Sequence, residues 1–367
     1  MLLVRNIRLP LSCPDPDAEA AAQALHILRV PAHKAARCGV AKLSVDARHG
    51  KPVLVYTMAI TLKDEGEESA YAGASPCVCF TQPARFSFSV GDTALKTRPV
   101  VVGLGPAGLF AALLLARSGF RPLVLERGPE LDERVKAVEH FEKTGELNLN
   151  ANIQFGEGGA GTFSDGKLTT RVGDPLCAFV TDAFLQHGAP ADIAWRQKPH
   201  VGTDLLRGII RSIRQEIIAL GGEVRFNTAL TGLKIENGAL ASVETTAGDF
   251  ACEQLILAVG HSARDTFAML HGSGLPLECK PFSVGFRAEH LQTEIDKSLY
   301  HAAAGHPVLP VGEYQLSQHV SGGRCVYTFC MCPGGVVVNA SSEPGGICVN
   351  GMSDHARGGR QCNAAWV

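Results

Sequence analysis

The sequence predicts an α/β protein with a Rossmann-like domain at its centre, a small α+β domain before it and a β-rich segment after it. Three observations support this fold class. Residues 100–126 read as strand, glycine turn, helix and strand; residues 203–221 carry apolar side chains on one helical face; and residues 280–349 alternate short strand-like runs with Gly and Pro. A hydrophobic content of 46% and a charged content of 19% are typical of a folded chain.

The first strand of the central unit runs into three glycines at GxGxxG spacing, Gly103, Gly105 and Gly108. In this motif the glycines allow a tight turn, close approach of the backbone to a pyrophosphate, and close packing of helix on strand. Pro106 and Ala107 open the helix, and the amides of a helix N-terminus favour a phosphate. The complete strand–turn–helix context predicts an adenine dinucleotide site. The alternative is a glycine-rich turn in an ordinary βαβ unit.

The second strand of this unit ends in Glu126, which follows Gly108 by 18 residues. A carboxylate about 20 residues after the glycines usually binds the ribose 2′-hydroxyl of the nucleotide. An acidic residue here argues against NADP, because its 2′-phosphate prefers arginine. Arg127 is the next residue and leaves that question open.

Residues 1–96 precede the glycine motif, and we expect them to form a separate α+β domain. An Ala-rich helix over 18–28 and strands at 43–45 and 53–62 are predicted from the local patterns. Between Arg29 and Lys51 the chain has six Lys or Arg residues and one acidic residue. This basic segment could bind nucleic acid or an anionic protein, but it has no aromatic residues for base stacking, so a solvated surface is the simpler interpretation.

A glycine-rich loop follows at residues 148–167 and reads NLNANIQFGEGGAGTFSDGK. Glycines let a backbone approach a ligand closely, and the neighbouring polar side chains offer hydrogen bonds. We expect the loop to lie against the phosphates and ring of the cofactor; the alternative is a glycine loop without a ligand. The candidate cofactor-binding residues here are Gly158, Gly159, Gly161, Thr162, Ser164, Asp165, Gly166 and Lys167.

The order of elements after the loop is informative. An amphipathic helix leads to a strand at 223–226, a hairpin turn at Asn237 and Gly238, and one strand over 250–257 that ends in A-V-G. This order is similar to the FAD domain of the glutathione-reductase-like (GR2-like) flavoproteins. The similarity implies that Val224 lies on the adenine side of the cofactor, and that Ala258 and Gly260 form a turn beside it.

Long phrases in the second half resemble the bacterial uncharacterised FAD-dependent dehydrogenases, a family of NAD(P)/FAD-dependent oxidoreductases. They are HSARDTFAMLHGSG (261–274), KPFSVGFRAEH (280–290), FCMCPGGVVVNASSE (329–343) and VNGMSDHARGG (349–359), and the opening VRNIRLPL and the phrase FGEGGAGTFSDGKL match as well.

The resemblance implies bound FAD and a domain order. Residues 1–96 are the N-terminal α+β domain, 97–279 the FAD-binding Rossmann-like domain, and 280–349 a β-rich cap on the substrate side. Residues 350–367 are expected to begin a return to the FAD domain that family members complete, so we expect a C-terminally truncated chain, which could be an inactive fragment.

The predicted activity is that of an FAD-dependent oxidoreductase, which transfers a hydride between flavin N5 and an unidentified small-molecule substrate or NAD(P)H. The chain has one dinucleotide fingerprint, so either NAD(P)H docks transiently on the cap or an organic substrate is itself the hydride donor. The catalytic candidates are Cys330 and Cys332, whose thiols point the same way if the strand is regular, and His261 after the A-V-G turn. A structural role is the simpler interpretation of each.

Two other functions remain open at this stage. One is a non-catalytic flavin-binding module whose basic N-terminal domain engages RNA or a protein. The other is a plain NAD-binding dehydrogenase.

Composition limits the remaining possibilities. The net charge of −2 gives no overall field for nucleic acid or an anionic membrane. The N-terminus lacks a signal-peptide pattern, and the apolar run at 110–116 is too short to span a membrane, so a cytoplasmic location is expected. The twelve cysteines match no zinc or iron–sulfur spacing, and no metal is expected. The sequence does not predict an oligomeric state.

Overall fold

The chain is an α/β protein built around a Rossmann-like parallel sheet, which confirms the predicted fold class. The structure is a computed structural model that describes residues 1–48, 50–82, 86–170, 172 and 174–367. Within these residues, no helix combines the length and the apolar character needed to cross a membrane.

The N-terminal domain is an antiparallel sheet with strand order β2-β3-β1-β4, covered on one face by helix α1. Alternate residues of β3 (Leu54, Tyr56, Met58 and Ile60) are buried against α1, as the period of a half-buried strand requires. Asp15 begins the helix by accepting a hydrogen bond from the Ala18 amide. The elements are β1 (Leu2–Pro10), α1 (Pro16–Leu28), β2 (Ala35–Asp46), β3 (Val53–Leu62) and β4 (Val78–Phe80).

The Rossmann-like sheet is parallel, with strand order β11-β5-β6-β7. Its two faces bury different partners, because successive strand residues point to opposite sides. Val101 and Val124 face helices α2 and α5, whereas Val100 and Leu125 face a three-stranded antiparallel meander. The elements are β5 (Val100–Val102), α2 (Pro106–Arg117), β6 (Leu123–Leu125), α5 (Thr203–Ala219), β7 (Glu223–Arg225), the meander β8 (Leu230–Glu236), β9 (Ala239–Thr245) and β10 (Gly248–Ala251), and β11 (Leu255–Leu257).

The single strand expected over 250–257 is wrong, because the chain changes sheets within it. Residues up to Cys252 stay with the meander, where the Cys252 amide donates to the Ala241 carbonyl. From Gln254 onward the chain pairs with β5, beginning with the Val100 amide that donates to the Gln254 carbonyl. The apolar run 250–257 therefore contributes residues to two different sheets.

The described residues contain four further α-helices. Helices α3 and α4 lie between β6 and α5, and a short 3₁₀ turn over Gly159–Phe163 forms part of the glycine loop. Helix α6 follows β11, and helix α7 belongs to the β-rich domain. Their bounds are α3 (Leu131–Thr144), α4 (Leu176–Gln186), α6 (Arg264–Gly272) and α7 (Gln292–Tyr300).

The β-rich domain is an antiparallel sheet with strand order β12-β17-β14-β13, accompanied by a two-stranded hairpin of β15 and β16. Its strands are β12 (Phe286–Leu291), β13 (Ser317–His319), β14 (Cys325–Cys332), β15 (Val336–Asn339), β16 (Val349–Met352) and β17 (Gln361–Trp366).

The last residues do not form the return to the FAD domain that was expected of 350–367. Strand β17 lies between β12 and β14, and its inward residues Cys362 and Ala364 are fully buried with Met331. The β-rich sheet would lack an inner strand without this segment. The link before β17, residues 353–357, contacts the Rossmann-like domain through hydrogen bonds to Asp165 and Asp204.

Candidate cofactor-binding site

A cavity of about 460 Å³ lies at the carboxyl ends of β5, β6 and β11. Ligands bind in this position in open α/β sheets, where successive crossovers leave in opposite directions, and the volume lies within the usual range of about 300–1,000 Å³. Many predicted residues meet at this cavity: Gly103, Gly105, Pro106, Ala107, Glu126, Arg127, Gly159, Gly161, Ala258, Gly260 and His261.

The three motif glycines differ in what surrounds them. A Cβ on Gly103, which has φ of +96°, would overlap the Ala258 carbonyl oxygen, and one on Gly108 would overlap the Gly103 carbonyl oxygen. These two positions are therefore closed by backbone packing. A Cβ on Gly105 would lie 3.7 Å from Gly159 Cα and would point into open space. Gly105 is thus the position where a ligand can approach the chain.

The N-terminus of α2 supplies donors at the same place. Gly105 is the N-cap residue and has no side chain to cap the helix. The first intrahelical bond runs from the Leu109 amide to the Gly105 carbonyl, and the Ala107 and Gly108 amides have no acceptor among the described residues. Amides left unpartnered in this way, at the positive end of a helix, are suited to a phosphate.

Glu126 is 4% exposed and connects three turns of the site. Its carboxylate accepts hydrogen bonds from the amides of Leu104 at 2.7 Å, Gly128 at 2.9 Å and Gly156 at 3.1 Å. An ionised carboxylate can accept about four hydrogen bonds, so one position remains toward the cavity. The residue predicted to bind a ribose therefore also fixes the glycine turn and the start of the glycine loop.

Arg127 is already paired. Its guanidinium makes two hydrogen bonds to Asp265 in helix α6, at 3.0 and 2.6 Å, and lies 4.5 Å over the Phe155 ring. The hydrogen bond from Arg127 lowers the pKa of Asp265. This ion pair joins the end of β6 to α6 beside the cavity, and it leaves Arg127 less available to a 2′-phosphate.

The glycine loop reaches the cavity through a short stretch. A Cβ on Gly159 would lie 2.8 Å from Gly105 Cα, and one on Gly161 would lie 3.3 Å from Pro106 Cγ, so the loop backbone packs against the start of α2. Gly158, with φ of +82°, has Thr162 Oγ1 where a side chain would be. The Ser164 hydroxyl donates to the Gly161 carbonyl and holds the turn.

Asp165 and Lys167 lie away from the cavity. Asp165 is buried and accepts hydrogen bonds from Arg357 Nε at 3.0 Å, Lys167 Nζ at 2.6 Å and Ser353 Oγ. Burial alone would raise the pKa of Asp165, but the Arg357 hydrogen bond and the Lys167 charge outweigh it and hold the pKa at about 2. This network attaches the glycine loop to the β-rich domain, and Gly166 packs beside it against Leu206.

Val224 packs in the core formed with helices α2 and α5. It is not among the residues that line the cavity. Its predicted position on the adenine side thus rests on the resemblance.

Sequence reasoning missed Arg134, which is fully buried in helix α3. It donates to the carbonyl oxygens of Asn152 at 3.0 Å and Ile153 at 2.9 Å and to Thr162 Oγ1 at 3.1 Å, and burial lowers its pKa to about 9. It therefore holds the glycine loop in shape. The signal was its spacing from Leu131 at i+3, which places it on the buried face of an otherwise polar helix.

The catalytic candidates separate into two places. His261 lines the cavity, whereas Cys330 and Cys332 lie in β14 of the β-rich domain. The expectation of a regular strand at these cysteines is wrong, because Cys330 has φ of +46° and the pairing shifts between Phe329 and Cys332. The Cys332 thiol nevertheless donates to the Cys330 carbonyl at 3.6 Å. Among the described residues, no group of three or more His, Cys, Asp or Glu is arranged to hold a metal.

Part of this chain is similar in sequence to known proteins. Residues 281–367 match the family described as FAD-dependent protein, C-terminal domain-like. An uncharacterized protein of Clostridium beijerinckii is 51% identical over 282 residues, which cover 77% of this chain and 53% of that protein. The chain therefore spans about half the length of this relative.

Three solved structures overlap part of the fold. L-amino acid deaminase from Proteus vulgaris is 14% identical, with a TM-score of 0.28 over 52% of this chain and 53% of that chain. Glycine oxidase from Bacillus cereus is 14% identical, with a TM-score of 0.27 over 48% and 58%. L-proline dehydrogenase from P. horikoshii is 18% identical, with a TM-score of 0.28 over 48% and 56%. Such low TM-scores assign neither substrate nor activity.

Proposed function

We propose that this chain binds FAD in the cavity at the ends of β5, β6 and β11 and forms part of an FAD-dependent oxidoreductase. The observation that carries the proposal is the phosphate cradle at the start of α2, where the Ala107 and Gly108 amides have no acceptor among the described residues and a Cβ on Gly105 would meet nothing closer than 3.7 Å. The match of residues 281–367 to a family of FAD-dependent proteins supports the identity of the cofactor.

The residues of the cavity fit the adenosine diphosphate part of the cofactor. The Ala107 and Gly108 amides would hold the pyrophosphate, and Glu126 would hold the ribose through its remaining acceptor position. Apolar side chains including Leu125 and Leu230 line the same cavity and suit an adenine ring. The glycine loop at Gly159 and Gly161 would contact the part of the cofactor beyond the phosphates.

The bound flavin would supply hydride exchange at N5 with a small-molecule substrate or NAD(P)H. The chain contributes position and electrostatics. Glu126 fixes three turns, Arg134 fixes the glycine loop, and His261 places an imidazole on the cavity wall. The substrate, and the use of NAD(P)H as a transient donor, stay proposals.

The pairing of Arg127 favours a nucleotide without a 2′-phosphate. The guanidinium is engaged by Asp265 in two hydrogen bonds, so a phosphate there would compete with a carboxylate. This supports FAD over NADP in the cavity. It does not distinguish FAD from NAD.

The ion pairs of the N-terminal domain do not favour a nucleic-acid partner. Within the basic segment 29–51, Arg48 pairs with Asp46, which also pairs with Arg8, and Lys34 pairs with Glu67. Two of the six basic residues of this segment, Lys34 and Arg48, are therefore ion-paired. An RNA- or protein-binding role stays a second proposal.

The test is the visible absorption spectrum of the purified chain, with the released cofactor identified by mass. Flavin absorption with release of FAD is the expected result. Because the chain spans about half of its Clostridium relative, a colourless protein is then titrated with FAD, ADP and NAD by calorimetry. Binding of NAD with no binding of FAD would overturn the proposal, as would binding of none of the three by the folded chain.

A further inference from the structure

We propose that Cys330 and Cys332 form a redox-active thiol pair, in which Cys330 reacts with a small-molecule disulfide and Cys332 resolves the adduct into an internal disulfide. This site lies in the β-rich domain, apart from the residues that line the cavity. It is independent of the proposed binding of FAD.

The backbone brings the two thiols together. In a regular strand, residues i and i+2 are about 6.6 Å apart, close to the upper limit of the Cα separations that a disulfide bridges. Here the pairing shifts between Phe329 and Cys332, and Cys330 adopts φ of +46°, which few residues other than glycine adopt. Cys332 Sγ donates to the Cys330 carbonyl at 3.6 Å, so the thiol of one cysteine lies against the backbone of the other.

Two cations lie beside the pair on separate elements. Arg287 Nη1 in β12 donates to the Cys330 carbonyl at 3.0 Å, and Lys167 in the glycine loop donates to the Met331 carbonyl between the cysteines. Asp165 is the anion that faces the same cluster, and it is ion-paired with Lys167. Positive charge next to a thiol stabilises its thiolate.

The two cysteines have different roles because their surroundings differ. The interaction with the Cys332 side chain, helped by the charges of Lys167 and Arg287, lowers the pKa of Cys330 despite its partial burial, and the same interaction together with burial raises the pKa of Cys332. Cys330 is half-buried, whereas Cys332 is fully buried. A Cβ on Gly351 would lie 2.6 Å from Cys332 Sγ, so that thiol has no room for an adduct.

The reaction balances with one small disulfide as the oxidant. The Cys330 thiolate attacks one sulfur of the compound, whose S–S bond breaks, and one thiolate leaves. With Cys330 capped, the interaction that raised the pKa of Cys332 is gone, and Cys332 loses its proton to solvent. The Cys332 sulfur then attacks the Cys330 sulfur and the second thiolate leaves. Two protein thiols are oxidised, and the disulfide is reduced to two thiols.

The test uses glutathione disulfide on the reduced full chain, followed by peptide mass mapping. The expected product is a Cys330–Cys332 peptide that has lost two hydrogen atoms. Cys332→Ser is expected to stop at a glutathione adduct on Cys330, and Cys330→Ser to give no internal bond. Cys325→Ser, at an exposed cysteine of the same strand, is the matched control and is expected to react as wild type. Adducts spread over the exposed cysteines with none on Cys330 would overturn the proposal.

A second measurement separates reactivity from structure. At pH 6 we expect iodoacetamide to label Cys330 about tenfold faster than Cys325, because the lowered pKa of Cys330 supplies more thiolate and the weaker intrinsic nucleophilicity of that thiolate offsets only part of the gain. The advantage is expected to shrink toward pH 8. Lys167→Gln keeps a hydrogen-bond donor and removes the charge, so it is expected to move the labelling profile of Cys330 to higher pH. Lys198, which is ion-paired with Glu313, provides the control, and Lys198→Gln is expected to leave the profile unchanged. Equal labelling of Cys330 and Cys325 at pH 6 in folded protein would refute the thiolate.

Discussion

Gly105 and Gly108 belong to one motif, yet their surroundings predict opposite effects of substitution by alanine. A Cβ on Gly105 meets nothing closer than 3.7 Å, so Gly105→Ala is expected to cost only about 0.5–1 kcal/mol, the difference between glycine and alanine at an N-cap. A Cβ on Gly108 would overlap the Gly103 carbonyl, so Gly108→Ala must separate helix from turn and is expected to cost about 3 kcal/mol or more.

Although Gly105→Ala is expected to have little effect on stability, it is expected to weaken ligand binding strongly. The methyl group would occupy the space where a phosphate meets the α2 amides, and a hydrogen bond to a charged group contributes about 1.5–3 kcal/mol. Loss of one such bond weakens binding roughly 10- to 150-fold, at about 1.4 kcal/mol per tenfold. Gly105→Ala is therefore expected to fold and to bind nucleotide poorly.

The assay combines calorimetric titration with FAD and ADP and urea unfolding followed by circular dichroism. Gly208→Ala is the matched control, since Gly208 lies within α5 with nothing near its absent side chain, and it is expected to keep wild-type affinity. A folded Gly105→Ala protein that binds ADP as tightly as wild type would refute the phosphate cradle. A Gly108→Ala protein as stable as wild type would refute the packing argument.

Three further predictions follow from the ion pairs and buried charges. Asp265→Ala releases Arg127, so calorimetry should show affinity for 2′-phospho-ADP-ribose rising about fivefold relative to ADP-ribose; an unchanged ratio would contradict the assigned pairing. Arg134→Met leaves buried carbonyl oxygens without donors and should lower the free energy of unfolding in urea by about 3 kcal/mol or more, and a smaller loss than 1 kcal/mol would count against the role of Arg134. The pKa of Asp165 is lowered from 3.8 to about 2, so its ionised form stabilises the fold above about pH 4, and that stability is lost as pH falls toward 2. The difference in unfolding free energy between wild type and Asp165→Asn should therefore shrink by about 2 kcal/mol over that range, and a constant difference would exclude this linkage.

The sequence by itself determined the central unit and most of the cavity wall. Strand, glycine turn, helix and acidic strand end lie within residues 100–126, and each depends on a local period or on the conformational freedom of one residue. Residues near in sequence must be near in space here, because a βαβ unit has few ways to close. The sequence alone was therefore enough to predict that Gly105 and Glu126 lie at the ligand cavity.

The tertiary structure decided everything that depends on distant pairing. Asp165 was expected beside the cofactor but is bound by Arg357, 192 residues away, and no local pattern shows that a charge will be neutralised from another domain. Strand β17 was expected to leave the β-rich domain, yet its neighbours in the sheet are selected by burial of Cys362 and Ala364. The bulge at Cys330 likewise arises from the pairing of β14 with β17, which the alternation along one strand does not specify.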